Sequence, residues 1–253
     1  MIPPDPSLYG DNFAEVYDEW YAEQLGSADD VVWALDELVP SGDRARSVLE
    51  LGIGTGRLAL PLHRAGWRVL GIDSSARMID RLRAKPGSEA IDVRLGDVAD
   101  ASTWPSERVD VVLASFNFLH NLIDPAAASV VLAHATRCLV APGGIVVAEH
   151  DIIDVASAPA DSTVASELVA GLRIRTVVDH GSGLVHGTHI EPDGRVRSWH
   201  LRPRLPNEYD ALATDAGLEL VQRWSSWTRE PFTPDLSTRA ISVYAVAQPS
   251  FIG

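Results

Sequence analysis

Several residue types are scarce in this chain of 253 residues, and each scarcity excludes a class of protein. Cys138 is the single cysteine, which excludes an intrachain disulfide and a cysteine-rich metal site. No apolar run approaches the ~18 residues of a membrane span. The stretch 1–13 lacks the basic and apolar regions of a secretory signal. We therefore expect a cytoplasmic protein with no membrane partner.

Positive charge is scarce as well. The chain has 21 lysines and arginines against 35 aspartates and glutamates, and its formal net charge is −14 at pH 7. This balance argues against nucleic acid as the main partner, because a polyanion would be repelled. Lysine occurs once, at Lys85. Hydrophobic residues make up 46% and charged residues 22%, which are ordinary globular values and predict a buried core.

The middle of the chain alternates short strands with helices. The predicted strands are "RSVLEL", "WRVLGID", "IDVRLGD", "VDVVLASF" and "GGIVVAEH", and the helices between them include "GRLALPLHRAG" and "SARMIDRLRA". Strict alternation predicts right-handed βαβ units and a parallel sheet. Pro61 lies in the first of these helices, where it is compatible only with the first turn or with a kink.

The flanking regions have other patterns. Residues 9–39 are predicted to be helical, whereas 172–203 are rich in β-branched residues and predict an antiparallel meander. If Asp193 and Gly194 form a two-residue turn, Gly187, His189, Val196, Ser198 and His200 share one face of this meander. A helix "PNEYDALATDAGL" and two further strands complete the chain.

Three chemical features follow the predicted strands at matching places. Glu50 ends the first strand and precedes Gly52 and Gly54 in "VLELGIGTGR", Asp73 ends the second strand, and Asp97 ends the third. Ligands of open parallel sheets bind at the carboxyl ends of the strands. A carboxylate at the end of the second strand suits the paired hydroxyls of a ribose.

The spacing of the glycines distinguishes between two nucleotide ligands. A dinucleotide fingerprint needs glycine three positions after Gly54, and Arg57 stands there. Glu50 would repel a pyrophosphate but suits a cationic group. S-adenosylmethionine, which has a ribose, an adenine and a positively charged amino-acid end, therefore fits better than NAD. A nucleotide-dependent oxidoreductase and a binding protein without catalysis remain the alternatives.

The ordered motifs resemble those of class I S-adenosylmethionine-dependent methyltransferases. The similar segments are "VLELGIGTGR", "GIDSSARMI", "LGDVAD", "DVVLASFNFLHNL", "LVAPGGIVVAEH" and, near the start, "YDEWY". The resemblance implies an α/β fold with a doubly wound, mostly parallel seven-stranded Rossmann-like sheet. It also implies an N-terminal helical lid at 1–42, a cofactor-binding core at 43–150 and 206–253, and an antiparallel β insertion or cap at 151–205.

The resemblance also implies roles for individual residues. Gly52 and Gly54 would approach the methionine end, Asp73 would hold the ribose, and Asp97 would accept from the adenine amino group. For Met78, ordinary helix packing is an equal alternative. The expected cofactor-binding residues are Tyr17, Glu50, Gly52, Gly54, Asp73, Ser74, Met78, Asp97, Val98 and Ser115.

The catalytic candidates lie near the expected methyl group. His120, just past the fourth strand, has an ordinary pKa of ~6.5 that suits a general base, although a structural histidine is equally compatible. His150 follows the fifth strand and is the second candidate. Tyr21 lies four residues after Tyr17 on one helix face, where it either closes over the acceptor or simply packs. No metal is expected.

The acceptor is expected to be a small molecule. "SFNF" after the fourth strand lacks the proline pair of nucleic-acid amino-methyltransferases. The β insertion is similar to that of the small-molecule group, which includes enzymes that act on amino-sugar nucleotides and natural products. The resemblance thus implies methylation of a nitrogen or an oxygen. The resemblance also suggests a homodimer, because this insertion often pairs subunits in that group.

Overall fold

The structure is a computed structural model that describes residues 5–21, 27–42, 44–166 and 168–247. Its helices are α1 Leu8–Phe13, α2 Tyr17–Tyr21, α3 Ala28–Leu38, α4 Ala59–Arg64, α5 Ala76–Arg83, α6 Ala127–Cys138 and α7 Pro206–Asp215. Its strands are β1 Ser47–Leu51, β2 Arg68–Asp73, β3 Asp92–Leu95, β4 Val111–Ala114, β5 Ile145–Asp151, β6 Asp161–Ala165, β7 Arg173–Asp179, β8 Leu184–Ile190, β9 Val196–Leu201, β10 Leu218–Trp224 and β11 Arg239–Val246. The predicted helical stretch at 22–26 and the ends of the predicted regions at 1–4 and 248–253 lie outside the described residues.

Seven strands form the main sheet in the order β10-β11-β5-β4-β1-β2-β3. β11 pairs antiparallel with both of its neighbours, and the other pairings are parallel. The predicted doubly wound, mostly parallel seven-stranded sheet is therefore confirmed. β1 lies between β2 and β4, so the strand order reverses at the carboxyl end of β1, where open sheets bind their ligands.

The core lies on both faces of this sheet. Adjacent residues of β1 face opposite sides, so Val48 packs with Leu35 of α3 and Leu62 of α4, whereas Leu49 packs in the cluster that contains Leu132 of α6 and Tyr209 of α7. All five residues of β1 are buried, as expected where helices cover both faces of a sheet.

Local sequence explains the helix boundaries. Ser75 precedes α5, and its hydroxyl accepts a hydrogen bond of 3.2 Å from the Met78 amide, which caps the helix. Pro61 is the third residue of α4, so it lies in the first turn, where a backbone N–H has no helical partner. The first of the two arrangements expected for Pro61 is thus confirmed. Cys138 ends α6 and is buried.

A second sheet, in the order β6-β7-β8-β9, lies within the predicted insertion at 151–205. β7, β8 and β9 confirm the antiparallel meander. β6 was not predicted from the sequence. It is an edge strand paired only with β7, and four of its five residues are exposed, so it has no buried face to produce an apolar pattern.

The predicted turn between β8 and β9 is wrong by one residue. The Gly194 amide donates to the Glu191 carbonyl and the Glu191 amide to the Arg195 carbonyl, both at 2.9 Å, which makes a three-residue loop with Gly194 in the left-handed region at φ +87°. His186 consequently pairs with His200.

This register changes which residues share a face. Gly187 and His189 lie on the buried face with Trp199, whereas Val196, Ser198 and His200 lie on the opposite face. The predicted grouping of Gly187 and His189 with His200 is therefore wrong. Among the described residues, no helix is long and apolar enough to cross a membrane.

Candidate functional site

A pocket of about 910 Å³, here called the central pocket, opens at the carboxyl ends of β1 to β4. All the residues expected to bind a cofactor line it: Tyr17, Glu50, Gly52, Gly54, Asp73, Ser74, Met78, Asp97, Val98 and Ser115. The other lining residues include Tyr9, Arg57, Phe116, Phe118 and Asn121. The parallel strands therefore bring together residues that are more than 90 positions apart in the chain.

The glycine loop and Asp73 are joined directly. The Gly54 amide donates to Asp73 Oδ2 at 2.7 Å, and the Ser75 amide donates to Asp73 Oδ1 at 2.8 Å. Burial raises the pKa of Asp73, although both amides favour its charged form. Gly52 has φ +66°, and a Cβ there would lie 2.4 Å from the ring of Phe118. Glycine is thus required both by the backbone and by the neighbouring ring.

Two ionisable residues of the central pocket, the buried Glu50 and the partly buried Arg57, lack a full set of hydrogen-bond partners. Glu50 Oε2 and Arg57 Nη1 are both buried without a hydrogen bond. Burial raises the pKa of Glu50 to about 8, and the nearby Arg57 opposes this rise. Buried polar atoms without partners are rare and costly. The pair is therefore suited to the ammonium and carboxylate of an amino acid, such as the methionine end of S-adenosylmethionine.

Tyrosines from the N-terminal helices cover the central pocket. Tyr9 of α1 and Tyr17 of α2 line it. Tyr21 does not line it. The Tyr21 ring packs 5.1 Å from Tyr17 and 5.7 Å, edge-on, from Phe116. Burial raises the pKa of all three tyrosines. These hydroxyls are therefore neutral hydrogen-bonding groups at pH 7, with no tendency to act as bases.

Three residues, here called the α2 latch, fasten α2 to the glycine loop. The Thr55 hydroxyl donates to Asp18 Oδ1 at 2.5 Å. Lys85 Nζ lies 2.7 Å from Asp18 Oδ2 and donates to the Thr55 carbonyl at 2.8 Å. The single lysine of the chain thus ties the covering helix to the loop beneath it.

The two histidines proposed as bases lie beside the central pocket but do not line it. His120 and His150 are 0% and 1% exposed, and their ring centroids lie 5.4 Å apart. Tyr209 packs 4.7 Å from His150, and none of the four ring nitrogens has a hydrogen-bond partner. Burial lowers the pKa of His120 to about 4 and that of His150 to about 3. A catalytic role for either stays a prediction.

Sequence reasoning missed several lining residues, among them Tyr9, Arg57 and Phe116. Tyr9 had a signal, because Tyr9, Phe13 and Tyr17 recur at four-residue spacing. Arg57 ends the glycine motif and was used only to count its spacing. Phe116 had no signal, because its position depends on a left-handed turn that tertiary contacts hold. In the part of the chain that the structure describes, no group of three or more histidines, cysteines or carboxylates could hold a metal ion.

Comparisons with known proteins agree with this geometry. The profile of the methyltransferase domain family matches residues 48–144. The solved structure of the CcbJ methyltransferase from Streptomyces caelestis is 32% identical, with a TM-score of 0.85 over 97% of this chain and 100% of that one.

Two curated relatives match over shorter segments. The ubiquinone biosynthesis O-methyltransferase of Cereibacter sphaeroides is 36% identical over 40% of this chain and 39% of its own length. The cypemycin N-terminal methyltransferase of a Streptomyces species is 34% identical over 45% of this chain and 44% of its own length. The chain thus spans about two fifths of the length of these curated relatives.

The fold and the central pocket define a Rossmann-like methyltransferase. The chain belongs to the methyltransferase family, with the architecture of the class I members that use S-adenosylmethionine. Both the fold and the cofactor expected from the sequence motifs are confirmed.

Proposed function

We propose that this protein transfers a methyl group from S-adenosylmethionine to the nitrogen of a small-molecule amine. The observation that carries the proposal is the composition of the central pocket. It combines Glu50 and Arg57, each with one buried polar atom that lacks a hydrogen bond, with a cover of aromatic rings from Tyr9, Tyr17 and Phe116. The first pair suits the cofactor, and the aromatic cover suits a cationic product.

The cofactor end of the proposal assigns each polar group to one part of the ligand. Arg57 binds the carboxylate and Glu50 the ammonium of the methionine end, because Arg57 Nη1 and Glu50 Oε2 each lack a hydrogen-bond partner. Asp73 accepts from the ribose hydroxyls, and Asp97 accepts from the adenine amino group. Met78 is 3% exposed and packs against the adenine. When bound, S-adenosylmethionine supplies a methyl group activated by its sulfonium charge.

The acceptor end of the proposal rests on the rings that cover the pocket. Tyr9, Tyr17 and Phe116 exclude water and align the acceptor, which is the main contribution a protein can make to a methyl transfer. A neutral amine becomes positively charged as its new bond forms. The electron-rich faces of these rings stabilise that charge by roughly 0.5–2 kcal/mol per contact.

An amine explains the pocket better than a hydroxyl does. A hydroxyl acceptor needs a base, and burial raises the pKa of Tyr9 and Tyr17 while it lowers the pKa of the two nearby histidines, which do not line the pocket. An amine needs only to lose a proton to water before it reacts. Among the curated relatives, several are named O-methyltransferases and one is named an N-terminal methyltransferase, so both kinds of acceptor occur in the names of proteins similar to this chain.

The test is the transfer of a labelled methyl group to a panel of acceptors. The panel pairs amino sugars, amino-sugar nucleotides and cyclic secondary amines with analogues in which a hydroxyl replaces the nitrogen. We expect label on the amines only, located by tandem mass spectrometry. Label on the hydroxyl analogues with equal kcat/KM would contradict the proposal and would require a base.

We further propose a cytoplasmic homodimer that does not use nucleic acid as substrate. The net charge of −14 disfavours a polyanion, and the single cysteine agrees with a reducing compartment.

The face of the insertion sheet that faces away from α1 carries Val177, His186 and Val196, and Val196 is 59% exposed. A second copy packed on this face would cover Val196. Light scattering on the wild type and on Val196→Asp tests this: a dimer that becomes monomeric supports it, and a monomeric wild type contradicts it.

A further inference from the structure

Two consecutive residues beside the central pocket have an unusual backbone conformation. Phe116 has φ +46° and Asn117 has φ +60°, in the left-handed region that side chains other than glycine rarely adopt. They follow β4 after Ser115, and Ser115 and Phe116 both line the pocket. Conformations of this kind persist only where the surrounding structure holds them, and they cluster at functional sites.

Glu149 of β5 holds both residues. Its Oε2 accepts a hydrogen bond of 2.9 Å from the Phe116 amide, and its backbone carbonyl accepts one of 3.1 Å from the Asn117 amide. Glu149 is only 3% exposed. Burial of a carboxylate costs free energy because the charge leaves water, whereas an apolar residue at this strand position would have no such cost. The presence of Glu149 therefore indicates a specific role.

Two further charged residues hold Glu149 and Asn117 in place. Arg239 of β11 lies 3.3 Å from Glu149 Oε1, and its Nε donates to Asp151 Oδ1 at 3.0 Å. Asn117 Nδ2 donates to Asp151 Oδ2 at 2.8 Å, and the Asp151 amide donates back to Asn117 Oδ1 at 2.6 Å. The turn is therefore bonded through its backbone and through its side chain.

The result of this arrangement is the position of the Phe116 ring. The ring lines the central pocket and packs edge-on against Tyr21 of α2 at 5.7 Å. If Phe116 returned to an ordinary negative φ, its side chain would leave both the pocket and the covering helix. The hydrogen bonds from the Phe116 and Asn117 amides to Glu149 thus determine where the Phe116 ring lies. In the proposed reaction this ring is a surface that the acceptor contacts.

We propose that Glu149, Asp151 and Arg239 are positioning residues that hold Phe116 in the left-handed conformation and thereby align the acceptor with the methyl group. This inference rests on the proposed methyl transfer. None of the three lines the central pocket. They act through Phe116, so they control acceptor use without contributing to cofactor affinity.

The test compares Glu149→Ala with Glu149→Gln. Alanine removes the acceptor of the Phe116 amide, whereas glutamine keeps an oxygen there. For Glu149→Ala we expect kcat/KM for the acceptor to fall by about tenfold to a hundredfold, as for a reacting group misplaced by ~1 Å. Affinity for S-adenosylhomocysteine, measured by calorimetry, stays unchanged. Glu149→Gln restores most of the lost activity. Equal loss in both variants, or a parallel loss of cofactor affinity, overturns the proposal.

Asp210→Ala is the matched control. Asp210 accepts from the Tyr244 hydroxyl at 2.9 Å and pairs with Arg223, so its loss also breaks a charged network on the same sheet, but away from the central pocket. We expect this variant to lose stability while its kcat/KM stays at the wild-type value. A loss of kcat/KM equal to that of Glu149→Ala shows that the effect is general destabilisation and overturns the proposal.

Two further measurements test the proposal. The first needs no transfer activity, and the second does not need Glu149→Ala to fold. In a crystal structure of Glu149→Ala with S-adenosylhomocysteine, we expect Phe116 to leave the left-handed region, and a retained positive φ overturns the inference even if no acceptor is found. The pair Asn117→Gly and Asn117→Ala serves as the second test. Both lose the bonds to Asp151, but only glycine tolerates the conformation. We expect higher kcat/KM for the glycine variant, and equal values overturn the proposal.

Discussion

The Gly54 amide and the Asp73 carboxylate form a hydrogen bond of 2.7 Å that ties the glycine loop after β1 to the end of β2. The other oxygen of Asp73 accepts from the Ser75 amide, which starts α5. One carboxylate therefore holds the two segments that face each other across the central pocket. This arrangement leaves the remaining lone pairs of Asp73 free for a ligand.

Replacement of Asp73 by alanine is expected to weaken cofactor binding. The variant loses the bond to Gly54 as well as the proposed bonds to the ribose, so we expect a loss of about 1–3 kcal/mol in the binding of S-adenosylhomocysteine. Calorimetric titration measures it. Asp92→Ala, an exposed carboxylate at the start of β3, is the control. Unchanged affinity in Asp73→Ala would remove Asp73 from the site.

Cofactor binding is expected to release a proton from Glu50. Burial raises the pKa of this carboxyl to about 8, so it is mostly protonated at pH 7. The ammonium of the ligand favours the carboxylate and lowers this pKa, so up to one proton is released on binding. Titrations of S-adenosylhomocysteine at pH 7 in phosphate and in Tris, which differ in ionisation enthalpy, count the protons.

Two controls define this experiment. Glu50→Gln has no proton to release at this position, and adenosine lacks the ammonium that would cause the release. We therefore expect no buffer dependence from Glu50 in either case. The same number of released protons in the wild type and in Glu50→Gln would show that Glu50 does not face the ammonium.

The buried histidines are expected to make the fold sensitive to acid. The pKa of His120 is lowered to about 4 and that of His150 to about 3, whereas both titrate near 6.5 in the unfolded chain. Below pH 6.5 the unfolded state therefore binds protons that the folded state does not. The free energy of unfolding falls with decreasing pH, by up to about 1.4 kcal/mol per pH unit for each histidine.

Urea unfolding at pH 7 and pH 5 measures this slope. His120→Phe and His150→Phe should each lose less stability than the wild type between these two values. His63→Phe, at the partly exposed His63 of α4, is the control for a histidine that is not buried. We also expect His120→Phe to retain methyl transfer. A loss of transfer with intact binding of S-adenosylhomocysteine would instead assign His120 the role of a general base.

Gly187→Ala is expected to destabilise the insertion sheet. A Cβ at Gly187 would lie 1.9 Å from the ring of Trp199, so the ring must move and its 3.0 Å bond to His189 must break. Overpacking of this kind costs about 1–3 kcal/mol. Urea unfolding followed by tryptophan fluorescence measures the loss. Gly42→Ala is the control, because nothing lies within 4 Å of its added Cβ. Equal stability of the two variants would contradict the packing described here.

The main sheet could be predicted from the sequence because its signals are local. Strands β1, β2 and β3 each end at or beside a glycine or an acidic residue, and parallel strands place those ends together. The positions of Asp73 and Asp97 in the central pocket follow from that rule alone. The same rule could not place His120. A short turn after β4 buries its ring against His150, and the geometry of that turn depends on contacts with β5.

Features set by distant contacts could not be predicted. The Phe116 conformation depends on Glu149, 33 positions later in the chain, and nothing in "SFNF" indicates it. The register of β8 with β9 depends on whether a loop holds two or three residues, and Asp193 and Gly194 are compatible with both. The loop of three residues instead of two places His189 on the buried face, opposite to His200.

The α2 latch gives the molecule a chemical reporter of its own attachment. Lys85 is the single lysine, so it carries the one side-chain amine of this sequence. That amine is engaged by Asp18 and by the Thr55 carbonyl, and its side chain is 30% exposed. An unpaired amine reacts with an acylating reagent faster than one held in an ion pair. The rate at which Lys85 is acylated therefore reports whether α2 stays attached to the glycine loop.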